Sequence, residues 1–237
     1  MTPLSQDEIA ARRADALASI ARAAERAGRA PEDIELLAVT KGQPAEVVLR
    51  AARAGCRLFG ENRVAEAAGK IQAVRVEFPA LTWKLIGPLQ TNKAAQALQW
   101  FAMIESVDRQ RLADRLERLL EGSQRRLPVL MEVNLAGEAT KSGASPEDVP
   151  ALARALEACA HLECRGVMAV PPFDPDPESA RPWFRTLREI RDRTEGSVGR
   201  KLPEISAGMS HDFAVAVEEG ATQVRLGTAL FGPREAA

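Results

Sequence analysis

Short apolar runs alternate with stretches of helical periodicity along almost the whole chain. The first helical stretch covers about residues 5–27, with Ile9, Arg12, Arg13, Ala16, Ile20 and Ala24 falling on its faces at helical spacing. Ser5 followed three residues on by Glu8 reads as a capping box, and Gly28 stands where such a helix stops. Eight apolar runs come next, at 35–40, 57–59, 82–86, 101–105, 128–134, 164–168, 204–206 and 222–226. Every run but the last leads into a helical segment, at 45–54, 64–78, 91–98, 110–121, 146–161, 178–195 and 211–219.

Strands that alternate with helices pair in parallel, because each crossover carries the chain back to the same end of the sheet. Eight of them predict closure into a single α/β (β/α)8 TIM barrel, with an extra N-terminal helix (1–28) packed on it and one domain over 1–237. The length suits that fold, for which roughly 250 residues is usual. No Gly-x-Gly-x-x-Gly turn follows the first run, which argues against an open dinucleotide-binding sheet. The proline-rich piece 171–177 is a loop, too short for a linker.

Composition narrows the classes of function. A chain that is 46% apolar and 27% charged has ample material for a globular core. Its net charge of −1 leaves no electrostatic footprint for nucleic acid or an anionic membrane. Three cysteines without metal-ligand spacing read as reduced thiols, and two histidines are too few for a histidine-rich metal site. The first eight residues are acidic and carry no apolar signal core, and no stretch approaches membrane-spanning length. A cytoplasmic protein is expected, monomeric because exposed apolar runs are few.

The chemistry centres on Lys41, which ends the first apolar run and is followed by Gly42, Gln43 and Pro44. An ammonium delivered by a buried strand is costly to desolvate unless it is paired or neutralised, and a neutralised amine can attack a carbonyl. The plainer reading is a solvated lysine at a strand end. In a barrel of this kind the active face is built from loops at the strand C-termini, and the loops after strands seven and eight often hold phosphate. Here those loops contain Ser206-Ala207-Gly208-Met209-Ser210 and Gly227-Thr228-Ala229, rich in small residues and hydroxyls. Ser210 as a mere helix cap and the glycines as mere turns are the competing reading. Closure sets the first and eighth strands side by side, so a small phosphorylated aldehyde would bridge Lys41 and a phosphate cup of Ser210, Gly227 and Thr228. Pyridoxal 5′-phosphate fits, bound to Lys41 as a Schiff base. Arg225 would then meet the pyridine nitrogen and, staying protonated, would keep that nitrogen unprotonated and the ring a weak electron sink. A salt bridge inside the barrel is the alternative for Arg225. Asn62 and Met209 line the same pocket.

Several segments resemble the YggS/PROSC family of pyridoxal phosphate homeostasis proteins. They are Ala38-Val39-Thr40-Lys41, Phe59-Gly60-Glu61-Asn62, the run 83–93 with Gly87-Pro88-Leu89-Gln90, Asn134 with Lys141-Ser142-Gly143, the run 165–171, Gly208-Met209-Ser210, and 224–232 with Arg225 and Gly227-Thr228. They span nearly the whole chain in the family's order. The resemblance implies a barrel similar to the N-terminal domain of alanine racemase, pyridoxal phosphate on Lys41, and buffering or delivery of that cofactor to recipient apoenzymes rather than robust catalysis. The chain departs from the family at Arg63, where tyrosine is usual, at Lys84, where histidine is usual, and at His211, where an acid is common. All three are expected near the mouth.

Other classes are weighed against this one. A two-base amino-acid racemase of the alanine type needs a tyrosine opposite the lysine, and the chain has none. It also ends soon after Phe231, leaving no room for a C-terminal β domain, so that reading would need another base such as His211. A Schiff-base aldolase or phosphosugar enzyme needs a carboxylate beside Lys41. Glu61 is the best candidate and is expected instead to cap the helix that follows. An inert interaction scaffold would not require this gathering of a lysine, glycines and hydroxyls. Lys84, Lys93 and Lys141 are candidate transient amines for loading or release, against the plainer reading of solvated loop lysines.

Overall fold

The computed structural model describes residues 4–138 and 141–233, and every structural statement below concerns those residues. The predicted loop 134–145 and the predicted domain 1–237 therefore extend partly outside the described residues. The eight strands are β1 (Glu35–Val39), β2 (Leu58–Glu61), β3 (Thr82–Leu85), β4 (Met103–Val107), β5 (Leu127–Glu132), β6 (Leu162–Met168), β7 (Glu204–Met209) and β8 (Gln223–Leu226). They form a closed barrel in sequence order, each pair parallel, with β8 returning to β1 through Glu35 opposite Gln223, Leu37 opposite Arg225 and Ala38 opposite Leu226. The expected TIM barrel is the observed fold.

The helices are α1 (Gln6–Arg26), α2 (Ala45–Arg53), α3 (Val64–Arg75), α4 (Ala94–Trp100), α5 (Gln110–Leu120), α6 (Val149–Glu157), α7 (Arg181–Val198), α8 (Phe213–Glu218) and α9 (Thr228–Phe231). On α1 the Ser5–Glu8 capping box forms with both hydrogen bonds, and Gly28 follows the C-cap at φ 65°. Ile9, Ala16, Ile20 and Ala24 are buried, and the apolar stripe they form joins the main core. Arg26 pairs with Glu218, and Arg29 donates to the carbonyls of Val217 and Ala221, which ties the start of the chain to α8 and the loop beyond it. The Arg26–Glu218 ion pair, with its arginine largely exposed, adds little stability by itself.

Two apolar regions follow from the strand alternation. Residues such as Phe59, Trp83, Leu85, Val129 and Val224 face outward into the helix layer, where the rings of Phe59 and Trp83 stack at 5.1 Å. Met103, Leu130 and Met168 form a separate cluster. Leu130 lies one step from Val129 and Met131, which belong to the outer core, so this cluster lies in the barrel interior.

The sequence placed every strand and missed some ends. β2 runs on through Gly60 to Glu61 and β7 through Gly208 to Met209; Gly60 sits against the Leu37 side chain and Gly208 against Phe213 and Ala216 of α8, where a Cβ would not fit. The short α9 was not anticipated: four residues are too few to show a period.

A Cβ on Gly166 would lie 1.8 Å from the Glu204 carbonyl oxygen of the paired strand. Gly166→Ala is therefore expected to lose at least about 1–3 kcal/mol as an overpacked site. Gly196, inside α7 with open space around it, should gain about 0.5–1 kcal/mol as alanine. Urea unfolding of the two variants measures both.

Candidate functional site

Lys41 stands just beyond the C-terminal end of β1, in a tight turn closed by the Gln43 N–H donating to the Thr40 carbonyl. Gly42 occupies the next position at φ 72°, a left-handed conformation that glycine adopts without steric cost. The turn is held from below on both sides of the lysine. Lys70, reaching up from α3, donates to the Thr40 carbonyl at 2.7 Å and to Glu61 Oε1 at 2.6 Å. The Thr40 hydroxyl donates to that same carboxylate oxygen at 2.6 Å. Glu66 accepts from the Gly42 N–H at 2.6 Å and from Lys70 at 3.2 Å. Burial pushes the Glu61 carboxyl up, against the opposing pull of Lys70 and Thr40. Burial also raises Glu66, but the Gly42 N–H and the Lys70 ammonium outweigh it and hold that carboxyl below its ordinary range.

The loops after β7 and β8 meet at Ser210. Its hydroxyl accepts from the backbone N–H groups of Gly227, at 3.2 Å, and Ala229, at 3.0 Å. It does not cap α8, whose N-cap position is Asp212, and Asp212 instead accepts the Met209 N–H at 2.6 Å. A small cavity lined by Val39, Lys41, Gln43, Gly227, Thr228 and Gly232 joins these donors to the lysine. An amine, a hydroxyl and converging N–H groups around one cavity are the functional groups that a phosphorylated aldehyde requires.

Arg225 lies inside the barrel and is 4% exposed. Its guanidinium donates to Ser206 Oγ at 2.8 Å and to the Ala169 carbonyl at 2.7 Å, so its hydrogen bonds go to a hydroxyl and a carbonyl rather than to a carboxylate. The interior salt bridge considered for it is not what these bonds make. Burial pulls its pKa below the ordinary arginine value, opposed by the more distant charges of Glu105, Asp212 and Glu132. Three buried oxygens without a hydrogen-bond partner stand at the strand ends, Glu61 Oε2 at the end of β2, Asn62 Oδ1 just after it and Glu132 Oε2 at the end of β5. Unpartnered buried acceptors are rare in folded proteins and are what a site lined to take a polar ligand leaves behind. The Asn62 backbone packs against Gly87, where a Cβ would lie 2.3 Å from its carbonyl oxygen.

Other expectations are corrected here. Glu61 does not cap a helix: α3 starts at Arg63 without a side-chain cap, and Glu61 is wholly buried beneath the Lys41 turn. Lys84 is neither at the mouth nor a loop lysine. It points into the lumen from β3, 6% exposed, and donates to Gln223 at 2.5 Å and to Glu35 at 3.1 Å near the opposite end of the barrel. Lys93 is exposed, and Lys141 is exposed and paired with Glu138 at 2.7 Å. Arg63 is exposed, while the His211 ring lies 5.5 Å from that of Phe173. Among the described residues no cluster of histidine, cysteine or acidic side chains could hold a metal. Burial pushes the thiols of Cys159 and Cys164 up to about 11 and about 12, so both resist ionisation.

The residue that sequence reasoning overlooked is Lys70. Its spacing from Glu66 marked only an ordinary helix pair, and nothing local linked it to a turn thirty residues earlier. Lys70→Met strands the Glu61 carboxylate without its cation, and breaking a buried pair in this way costs about 3–5 kcal/mol. Adding Glu61→Gln should recover part of that loss, which a double-mutant cycle by chemical unfolding would measure.

Comparison with known proteins gives a consistent picture. The family model for the alanine racemase N-terminal domain matches residues 14–235. A pyridoxal phosphate homeostasis protein of Aquifex aeolicus is 42% identical over 219 residues, covering 92% of this chain and 95% of that one. Its namesake in Pseudomonas aeruginosa is 44% identical over 218 residues, 92% of each. The structure of PipY from Synechococcus elongatus with PLP bound superposes with a TM-score of 0.78 at 36% identity, over 90% of this chain and all of that one. Alanine racemase from Corynebacterium glutamicum shares the fold, with a TM-score of 0.69 at 19% identity over the whole of this chain and 65% of that one. Matched along nine-tenths of its length by relatives of this one kind, the chain belongs to the family of pyridoxal phosphate homeostasis proteins, on the barrel of the alanine racemase N-terminal domain.

Proposed function

We propose that this protein binds pyridoxal 5′-phosphate as a Schiff base on Lys41 and serves to buffer the cofactor or deliver it to recipient apoenzymes, without robust catalysis of its own. The observation that carries the reading is the single cavity shared by Lys41, Gly227 and Thr228, which joins an amine from one end of the chain to the hydroxyl and N–H groups at the other. The bound form of PipY and the names of the homeostasis relatives support it. When bound, the cofactor supplies an aldehyde carbon that condenses reversibly with an amine.

The chain's own groups divide the work. Lys41 provides the amine, and the turn clamped by Lys70, Glu61 and Glu66 fixes its starting point. Ser210, Gly227 and Thr228 hold the phosphate. Arg225 approaches the ring nitrogen with a donor, so the nitrogen stays unprotonated and the ring draws electrons weakly. Asn62 and Met209 border the ring, Asn62 with an oxygen still lacking a partner. With no tyrosine anywhere in the sequence, the lysine–tyrosine pair of a two-base racemase cannot be assembled from this chain. We read residues 1–237 as one barrel unit that works in the cytoplasm as a monomer. No helix among the described residues is long and apolar enough to cross a membrane.

The purified protein should be yellow or become so with added pyridoxal phosphate, and borohydride followed by peptide mapping should place the reduced adduct on Lys41. Lys41→Ala should stay folded and lose the trapped adduct, while racemase and transaminase assays on the loaded protein stay near background. A colourless protein that refuses added cofactor would overturn the reading, as would an undiminished adduct in the Lys41 variant.

A further inference from the structure

The barrel interior holds a column of buried polar side chains of which the proposed cofactor site uses only the last, Arg225. It runs from Lys84, near the N-terminal ends of the strands, through Gln223, Glu105 and Ser206 to Arg225. All five are at most 6% exposed. We infer that Glu105 and Ser206 are positioning residues for Arg225, fixing the direction in which its guanidinium meets a bound cofactor ring. The inference rests on the reading of Arg225 given above.

A serine hydroxyl has one hydrogen and two lone pairs. Ser206 spends its hydrogen on Glu105 Oε2 at 2.6 Å, and accepts from Arg225 Nη1 at 2.8 Å and from Gln223 Nε2 at 2.9 Å. It has nothing left over. Gln223 is equally committed: its amide nitrogen donates to Glu105 Oε1 at 2.7 Å as well as to Ser206, and its oxygen accepts from Lys84 at 2.5 Å. Gln223 thus donates to Glu105 directly and Arg225 Nη1 reaches it through Ser206, while Lys84 donates to Gln223 and Glu35 and Arg225 Nη2 to the Ala169 carbonyl; Glu105 only accepts. The same carboxylate stands between two cations, with Lys84 at 3.9 Å and Arg225 one hydroxyl away.

That arrangement allows no neutral substitute for Glu105. An amide in its place presents an N–H pair either to Ser206 or to Gln223. Facing Ser206, it offers a third donor to a hydroxyl with two lone pairs, and Arg225 is the partner that can be displaced. Facing Gln223, it forces that amide to turn and to meet the Lys84 ammonium with its own N–H groups. Low dielectric makes such mismatches expensive, so the disturbance travels along the column. Lys84 is different in kind. Removing it takes away one donor at the far end and leaves the Glu105–Ser206–Arg225 bonds intact. Lys84 thus stands as a counter-charge to Glu105.

The test compares the variants Glu105→Gln, Ser206→Ala, Lys84→Met and Arg225→Met, each titrated with pyridoxal phosphate. The readouts are the absorption band of the bound cofactor, its dissociation constant and the urea midpoint. Glu105→Gln and Ser206→Ala should move the band in the same direction as Arg225→Met and weaken binding by about tenfold, the value of one hydrogen bond to a charged group. Lys84→Met should lower the urea midpoint while leaving band and affinity as in the wild type, which separates positioning from general loss of stability. Should Glu105→Gln fail to fold, Ser206→Ala decides alone. Wild-type band and affinity in Ser206→Ala, with both altered in Arg225→Met, would overturn this inference and leave the assignment of Arg225 standing. Wild-type behaviour in Arg225→Met would overturn both.

Discussion

Hydrogen bonding between the first and last strands, with Leu37 opposite Arg225 and Ala38 opposite Leu226, is the constraint on which the site depends. A parallel barrel has no free edge once these two strands pair, and pairing fixes their register. That register puts the turn bearing Lys41 beside the loop bearing Gly227 and Thr228. Residues at opposite ends of the chain thereby share one cavity, and Ser210 of the neighbouring loop ties its hydroxyl to the same N–H groups. Without closure there would be a lysine on one strand and a hydroxyl-rich turn on another, and no site.

The second governing constraint is the cost of placing charge out of contact with water. An ionised group buried in the lumen, or between the barrel and its helices, needs partners for its donors or lone pairs. The chain meets this in two places by different means. Below the Lys41 turn, Lys70 is surrounded by Glu61, Glu66 and a backbone carbonyl, a compact ion cluster that also braces the turn. Along the axis, Arg225 has no carboxylate against it and depends on a hydroxyl and a carbonyl, with Glu105 one bond further on. The first arrangement favours rigidity of the backbone around an amine. The second holds a guanidinium by neutral acceptors instead of locking it into an ion pair. The apolar cluster of Met103, Leu130 and Met168 lines another part of the lumen.

Burial decides what each of three charged or titratable side chains does here. Arg63 is on the surface and His211 is exposed beside Phe173, so neither reaches the interior. Lys84 does. An ammonium placed deep in the lumen demands an acceptor, and Gln223, Glu35 and Glu105 surround it. Lys84 is therefore to be understood together with the buried acid near it, as a pair of charges, and separately from the loops at the mouth.

Local pattern alone determined much of this protein. The alternation of apolar runs and helical periods fixed the element order and hence the barrel, the Ser5–Glu8 box and Gly28 fixed the ends of α1, and the residues that follow each strand named Lys41, Ser210, Gly227 and Thr228 as neighbours at one mouth. These are features that depend on residues close in sequence, or on the single topological fact that a parallel barrel must close. What only the tertiary structure decided was the partner of each buried polar side chain. In a strand covered on both faces, apolarity does not distinguish the lumen from the helix layer, so Lys84 read as a loop lysine and Glu61 as a helix cap. The reach of Lys70 to the Thr40 carbonyl, and of Ser206 to Glu105 and Arg225, depends on the stagger of strands around the barrel. Stagger sets which side chains occupy the same layer, and it emerges only when all eight strands pair at once.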